Sequence, residues 1–399
     1  RFFRIKVSKM LLLKLAFKNL IGAGVRSWLN IFVLSVSFVV IIWTQGLYNG
    51  IWNHSKQLLL SYDVAGGQYW HSGYDTYDVL NINDAYSKVP SQLNEQISLN
   101  KAEPILIRQG SIYPAGRMQP VLMKGIDPNQ QVSKMPTYLL AESEHPFPIL
   151  IGKRMAKETK LKKNDTVMIR WRNAKGGFDA AEAKVIDIMM MDVPAIDSGQ
   201  IWLSYNLLAQ MMELSNHATI ITLAKNSTPL NLDSNWIYKS QDDLLIDLKT
   251  WMSQEKGSAF ILYLILMSLA IIGIFDSQIF SLFKRRKEIG TLMALGMTRK
   301  KVIQLFTVEG LYNAILASVV GAIYGIPICY WTLKNGINLG DQMENYNFAV
   351  SSIIYPVYSV IIIGSTTAII FLTVTFFSYL PLKRLHKLKP TDALRGKWS

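Results

Sequence analysis

Five histidines (His54, His71, His145, His217 and His386) and a single cysteine (Cys329) make up the imidazole and thiol inventory of this 399-residue chain. They are too scattered to form a metal-ligand set, and one thiol excludes an internal disulfide framework. Two carboxylate groupings stand out, Asp63, Asp75 and Asp78, and Asp187, Asp192 and Asp197. No nucleophile elbow, zinc-binding His-Glu pair or calcium-loop spacing accompanies them, so they read as solvated loop acids. The nearest approach to a phosphate-binding loop is Gly152-Lys153-Arg154. It lacks the upstream glycine that lets backbone amides cradle phosphates and the Ser or Thr that holds magnesium. The expectation is a chain that is not an enzyme and that carries no metal or cofactor of its own.

The stretch Leu282 to Gly310 (LFKRRKEIGTLMALGMTRKKVIQLFTVEG) is equipped for docking rather than for chemistry. It predicts a short helix from about Arg286 to Leu295, broken by Gly296, with Thr298 placed to cap the following helix. Ile289, Leu292 and Met293 form one apolar patch beside Arg285, Arg286 and Glu288. Such a helix suits a groove on a partner, the bland alternative being a basic loop that only sets topology.

The elements that must position this helix are long apolar runs. Segments at about 28–50, 258–283, 305–333 and 352–380 meet the ~20 residues of helix that a bilayer requires. Runs such as SFVVII and AIIFLTVTFF leave no polar face for a soluble helix. The first run is too long for a secretory signal and reads as a retained span. Residues 1–27, 284–304 and 381–399 hold twenty of the 42 Lys and Arg but only two of the 28 Asp and Glu. The positive-inside tendency puts these three stretches, and both termini, in the cytoplasm. Their basicity matches headgroups and topology, so no nucleic-acid partner is expected. Met10, Leu13, Phe17 and Leu20 predict an interfacial helix ahead of the first span.

Residues 51–256 and the short 334–351 loop then lie outside. Strand patterns at Ile105–Ile107, Pro120–Met123, Asp165–Trp171, Val185–Met189, Ile201–Leu203 and Thr219–Leu223 alternate with helical ones at about Gly152–Thr159, Tyr205–Leu214 and Ser240–Gln254. The fold class is four transmembrane α-helices with a large α+β extracytoplasmic domain between the first and second. Gln57–Leu60 and Leu244–Trp251 read as helical stalks continuing the flanking spans. Within the spans, Asp276 is a costly intramembrane carboxylate that could be functional or simply paired. Glu309 is expected to meet the cytoplasmic loop. Gly321 and Gly325 form a G-x-x-x-G face, with close packing the default over dimerisation.

The cytoplasmic stretch resembles the R-x-x-E-I-G-x-L-x-A-x-G signature of the FtsX/MacB/LolE-type (type VII) ABC transporter permeases, through Arg285, Glu288, Ile289, Gly290, Leu292, Ala294 and Gly296, with Glu309-Gly310 following. The C-terminal Pro381, Arg384, Pro390, Ala393, Leu394 and Arg395, and the N-terminal Ala16, Asn19, Leu20 and Arg26, resemble the same family's ends. In the outer domain, Lys124 to Pro128 (KGIDP), and Ile151-Gly152 with Leu161 and Asp165-Thr166-Val167, resemble the lipoprotein-releasing LolC/LolE subgroup. Asn164 stands where that subgroup usually has glycine. The resemblance implies a bacterial inner-membrane permease paired with a second permease, identical or homologous, on two copies of a separate ATPase that binds the ATP and magnesium. The 286–297 helix would be its coupling helix, with Glu288 and the neighbouring bases touching the ATPase and Ile289 and Leu292 filling its groove. Implied outputs are extraction of lipoproteins toward a periplasmic carrier, MacB-like efflux, or FtsX-like regulation of a cell-wall hydrolase.

Overall fold

The computed structural model describes residues 25–78, 81–190, 194–338 and 353–382. The expected interfacial helix, most of the N-terminal motif, and Arg384 to Arg395 of the C-terminal motif lie outside the described residues. The main elements, in chain order, are α1 (Val25–Tyr62), β1 (Gln68–His71), β2 (Ala102–Ile112), β3 (Gln119–Ile126), β4 (Pro148–Gly152), α2 (Lys153–Thr159), β5 (Thr166–Arg172), β6 (Phe178–Met189), β7 (Gln200–Ser204), α3 (Tyr205–Met212), β8 (Ile220–Leu223), β9 (Trp236–Lys239), α4 (Ile246–Lys284), α5 (Arg286–Ala294), α6 (Arg299–Asn335) and α7 (Val360–Leu382). The chain divides into two compact units, one built on residues 1–50, 253–337 and 355–399, the other on 51–252 with 338–354.

In the first unit, α1, α4, α6 and α7 are each long and apolar enough to cross a membrane. Helix is the element that satisfies every backbone group within one segment when water is excluded. Ile31, Leu34, Phe38 and Ile41 recur at helical spacing on α1 and pack against Ala270, Ile274, Ala314, Ala317, Ile370 and Val374. Several polar side chains in the spans are tied off locally or across helices. Asn30 Nδ2 donates to the Gly273 carbonyl at 2.9 Å, Thr366 Oγ1 donates to Gln45 Oε1 at 2.9 Å, and Thr44 Oγ1 donates to the Val40 carbonyl at 2.8 Å. The apolar run expected to be helical from about Ser352 becomes so only at Val360. Pro356 explains the late start, because a proline disfavours the helical conformation of the residue before it.

The second unit is organised by one nine-stranded sheet in the order β9-β1-β8-β2-β3-β7-β4-β6-β5, with a further β2–β5 pairing. That pairing closes β2, β3, β7, β4, β6 and β5 into a six-stranded ring, and β8, β1 and β9 extend from β2 as a flap. The seam is held at Gly110↔Trp171, Ser111↔Arg170 and Ile112↔Ile169. A Cβ on Gly110 would sit 2.9 Å from Met123 Sδ and 3.3 Å from the Arg170 carbonyl, so glycine is what lets the seam close. Alternate residues serve two cores. Val121, Met123, Ile149, Ile151, Ile201 and Leu203 enter one cluster with Val167, Ile169 and Trp171. Leu150, Trp202, Ile105 and Ile107 enter the other. The alternation along β5 is as the sequence pattern indicates, with Val167, Ile169 and Trp171 buried and Thr166, Met168, Arg170 and Arg172 exposed. The βα crossover at β4–α2 was read only from its helix. All five residues of β4 are buried, and a short unbroken apolar run shows no period-2 signal.

Asn164 has φ +72°, the left-handed region where glycine is easiest and asparagine is tolerated. Its amide donates to the Val185 carbonyl at 2.7 Å, which fixes the turn into β5.

Buried ionisable groups hold this unit together. Lys124 lies fully buried, with its ammonium 4.8 Å from the centre of the Trp202 ring; burial pulls its pKa down, against the opposing pull of Asp63. Glu103 accepts the Asp127 amide at 2.8 Å. Burial pushes its carboxyl up to about 8, only partly offset by that amide, and the charge of Asp127 adds to the rise. The raised value favours the protonated acid in the folded chain. Its contribution is therefore complete below about 4.5, the ordinary carboxyl range, and is lost as pH climbs through about 8. Glu103→Gln should flatten the pH dependence of the melting temperature between pH 5 and 8.5 and raise it by a few degrees at the alkaline end. Thermal unfolding of the reconstituted chain across that range checks this.

Candidate functional site: the α4–α5–α6 joint

The chain leaves α4 at Lys284 and enters α5 through Arg285, whose non-helical backbone (φ −98°, ψ 16°) turns the direction. The Arg285 side chain then joins three elements. Its Nε donates to Glu288 Oε2 at 2.8 Å, and its Nη1 donates to Glu309 Oε2 at 3.1 Å. Its guanidinium carbon lies 5.1 Å from the centre of the Phe306 ring. Glu288 is largely exposed, whereas the Glu309 side chain is only 7% exposed. The first pair is a surface tie worth under about 1 kcal/mol. The second supplies the counter-charge that a buried carboxylate needs. Asn313 Nδ2 donates to the Glu309 carbonyl at 3.2 Å, one turn along α6.

The end of α5 is a Schellman turn. Gly296 has φ +95°; its amide donates to the Met293 carbonyl at 3.1 Å and the Met297 amide to the Leu292 carbonyl at 3.0 Å. Thr298 occupies the N-cap position of α6 as expected, with extended backbone angles, but its side chain makes no capping bond. Its carbonyl instead accepts the Lys301 and Val302 amides at 2.9 and 3.1 Å.

The apolar face of α5 is covered within this chain. Ile289 is 2% exposed and packs with Leu282, Met297, Val302, Ile303, Phe306 and Leu382 inside this chain, and Gly290 is buried beside it. Leu292 and Met293 lie half-buried against the same cluster. The apolar stripe thus seats α5 on its own bundle and is not a free ridge for a partner. The sequence pattern marks an apolar face without telling which body will cover it. What α5 and its flanks expose is Lys287, Glu288, Thr291, Ala294 and Leu295, with Arg286 half-buried. Leu295 is 59% exposed and had not been singled out; its signal is its place just beyond the last inward-facing turn.

The other membrane residues fall in distinct places. Gly321 and Gly325 face α1: a Cβ on Gly325 would lie 2.7 Å from Val39 Cγ2, and one on Gly321 would lie 3.3 Å from the Ser35 carbonyl. The G-x-x-x-G face is spent on packing within the chain. A Cβ on Gly310 would fall 2.1 Å from Ser378 Oγ, so α6 and α7 meet almost backbone to backbone beside Glu309. Asp276 is exposed on α4 and is not brought into the Arg285 cluster.

The loop acids also find structural uses. Asp197, nearly fully buried, accepts the Arg154 amide at 3.1 Å through Oδ2, so the Gly152-Lys153-Arg154 helix start is occupied by the chain's own carboxylate. Asp187 pairs with Lys163 at 3.0 Å, and Asp75 caps the Tyr77 amide at 2.9 Å. Asp192 lies outside the described residues. Among the described residues no group of three or more His, Cys, Asp or Glu could hold a metal.

Residues 260–390, which contain this joint, match the family described as FtsX-like permease C-terminal. This segment is similar to the C-terminal domains of FtsX-like permeases. Curated relatives align chiefly at low identity. The macrolide export ATP-binding/permease protein MacB of Shewanella sp. (strain W3-18-1) is 24% identical over 213 residues, covering 50% of this chain and 31% of that protein. MacB of Campylobacter fetus subsp. fetus (strain 82-40) is 32% identical over 114 residues, covering 29% and 15%. An uncharacterized ABC transporter permease of Methanocaldococcus jannaschii is 28% identical over 126 residues, covering 32% and 29%. The chain thus spans about a third or less of the length of these relatives. A solved extracellular domain of the noncanonic ABC-type transporter YknZ from Gram-positive bacteria covers 41% of this chain and 84% of its own at 12% identity, with a TM-score of 0.25. The matched segment carries, between α4 and α6, the short helix α5 that Arg285 ties to Glu309 of α6.

Arg285→Ala should destabilise the chain by about 3–5 kcal/mol because it breaks the ion pair at the buried Glu309. Glu288→Ala should cost under about 1 kcal/mol. Pairing Arg285→Ala with Glu309→Gln should recover part of the loss. Melting temperatures of the three variants and the parent chain in lipid nanodiscs provide the comparison.

Proposed function

We propose that this chain is the permease subunit of an ABC transporter, and that α5 is the coupling helix on which a separate ATPase acts. The supporting observation is the joint itself: a short helix between two membrane-type helices, held to α6 by the Arg285–Glu309 pair and by Ile289, with a polar face left outward. The ATPase, in two copies, binds ATP and magnesium. Lys287, Thr291 and Leu295 touch it, with Glu288 and Arg286 at the edge of the contact. Ile289, Leu292 and Met293 keep α5 rigid so that displacement of the helix is displacement of α6. A second permease, identical or homologous, completes the assembly. It covers part of the exposed face of α4 that carries Asp276, whose burial in lipid would be costly. The chain lies in a bacterial inner membrane with both termini cytoplasmic and residues 51–256 in the periplasm.

The output proposed first is extraction of lipoproteins toward a periplasmic carrier; MacB-like efflux is the second reading, favoured by the names of the curated relatives. FtsX-like control of a cell-wall hydrolase is the third. The Lys124–Pro128 segment that carries the lipoprotein resemblance is largely consumed by folding. Lys124 is buried on Trp202, Gly125 lies against Leu208, and Asp127 caps the Asn129 amide at 2.9 Å. Cargo must therefore be decided by capture. Purification of the full chain in mild detergent, with mass spectrometry, should recover an ABC ATPase together with acylated protein. A trimeric adaptor in its place selects efflux, a hydrolase selects regulation, and no ATPase at all overturns the permease reading.

Leu295→Asp combined with Lys287→Glu should reduce ATPase association about tenfold or more while leaving the melting temperature unchanged, as expected of an exposed contact at the centre of an interface. Ile289→Ala should do the reverse, lowering the melting temperature because it empties a packed site. Co-purification yield and thermal unfolding, measured on the same samples, separate the two.

A further inference from the structure

The outer unit holds a groove of about 660 Å³ against the ring seam. That size lies within the range of small-molecule sites, roughly 300–1,000 Å³. Gly110 and Ser111 of β2 line it on one side and Arg170, Trp171 and Arg172 of β5 on the other, with Met118 and Phe178 among the remaining walls. Three features give it a chemical preference. None of its lining residues is acidic, while two are arginines. Arg170 stacks its guanidinium on Phe178, 4.7 Å from the ring centre, and donates to no carboxylate or carbonyl among the described residues; Arg172 spends only Nε, on the Gly176 carbonyl at 3.3 Å. Most of the N–H groups of this pair are therefore left to a ligand. Finally, Phe178 and Met118 are 64% and 66% exposed beside these cations, an unusual outlay of apolar surface in one place.

Guanidinium groups set against an aromatic ring and a thioether match a molecule with an anionic head and an apolar body. Charge-assisted bonds from arginine suit the planar oxygens of a carboxylate or phosphate. The ring and the thioether suit a hydrocarbon chain. We propose that this groove is a binding site for a single-chain amphiphilic anion, a carboxylate or a phosphate monoester on an alkyl body. The site lies wholly within the outer unit. It is independent of the motor-docking reading, so the failure of either leaves the other standing.

The test uses the full chain in lipid nanodiscs and a dansyl-tagged undecanoate, read by energy transfer from tryptophan, with empty nanodiscs as background; Trp171 is at the groove. Dodecanoate and dodecyl phosphate should displace the probe, and dodecanol of the same chain length should not. If only one of the two anions displaces it, that arm names the head group. Arg170→Gln with Arg172→Gln should weaken probe binding about tenfold or more, because the charge-assisted bonds are lost. Phe178→Ala should weaken it as well, through loss of the wall and of the stacking that aims Arg170. Both variants change exposed positions, and an unchanged melting temperature confirms that they fold. Undiminished binding by the arginine variant, or equal displacement by dodecanol, overturns the proposal. Displacement by an acidic peptide but not by dodecanoate also overturns it, in favour of a peptide groove.

Discussion

One guanidinium organises the membrane-type unit. Arg285 stands where α4 ends and α5 begins, and it is shared between an exposed carboxylate on α5 and a buried one on α6. The exposed pair is weak and replaceable. The buried pair counts for more, because removing one partner of a buried ion pair costs more than removing one at the surface. The position of α5 is thus set by an electrostatic demand that originates in α6. Ile289 adds a steric lock to the same joint, so the helix is pinned at its first turn by charge and near its middle by packing.

From that joint the constraint passes into the bundle through contacts that have no slack. Gly310 brings α6 against Ser378 of α7, and Gly321 with Gly325 brings α6 against Ser35 and Val39 of α1. Where backbones approach this closely, a displaced helix cannot be accommodated by side-chain rotation, and its neighbours must move or the contact must break. A loosely packed helix with long side chains at its interfaces would absorb the same push. The glycines of α6 therefore set how closely this helix lies against α1 and α7.

Much of this was legible in the residues, and the exceptions share a cause. Four apolar runs announced the spans, and Gly296 announced the end of α5, because composition and a positive φ are local properties. The alternation at Val167, Ile169 and Trp171 announced β5 because one face of that strand is exposed. β4 was invisible as a strand because it is buried on both sides and so lacks any alternation. The β2–β5 seam could not be read because it depends on residues about sixty positions apart meeting at a glycine. Ile289 is legible as a covered residue, but not by what it is covered. An apolar residue on a short amphipathic helix signals that something covers it, and only the tertiary structure says that α6 and Leu382 do so. Thr298 is a similar case, correct in position and idle in its side chain, because extended backbone angles alone begin the helix.

The ionisable groups of the outer unit fall into two kinds. Several ionisable groups are engaged as ties within the fold: Asp197 on the start of α2, Glu103 on the Asp127 amide, Lys124 on Trp202 and, in the membrane-type unit, Glu309 on Arg285. A group whose bonds are already filled by the fold has nothing left to offer a substrate, however polarised it is. Arg170 and Arg172 are the contrast. They project from the outer face of the ring, where no packing requirement holds them, and one of them is aimed by a phenylalanine that pays an exposure cost to do so. A fold that buries Lys124 while leaving these two cations beside exposed Met118 and Phe178 separates charge kept for structure from charge kept for contact. That separation makes the groove, rather than any of the buried clusters, the place on the outer unit where a second molecule has something to bind.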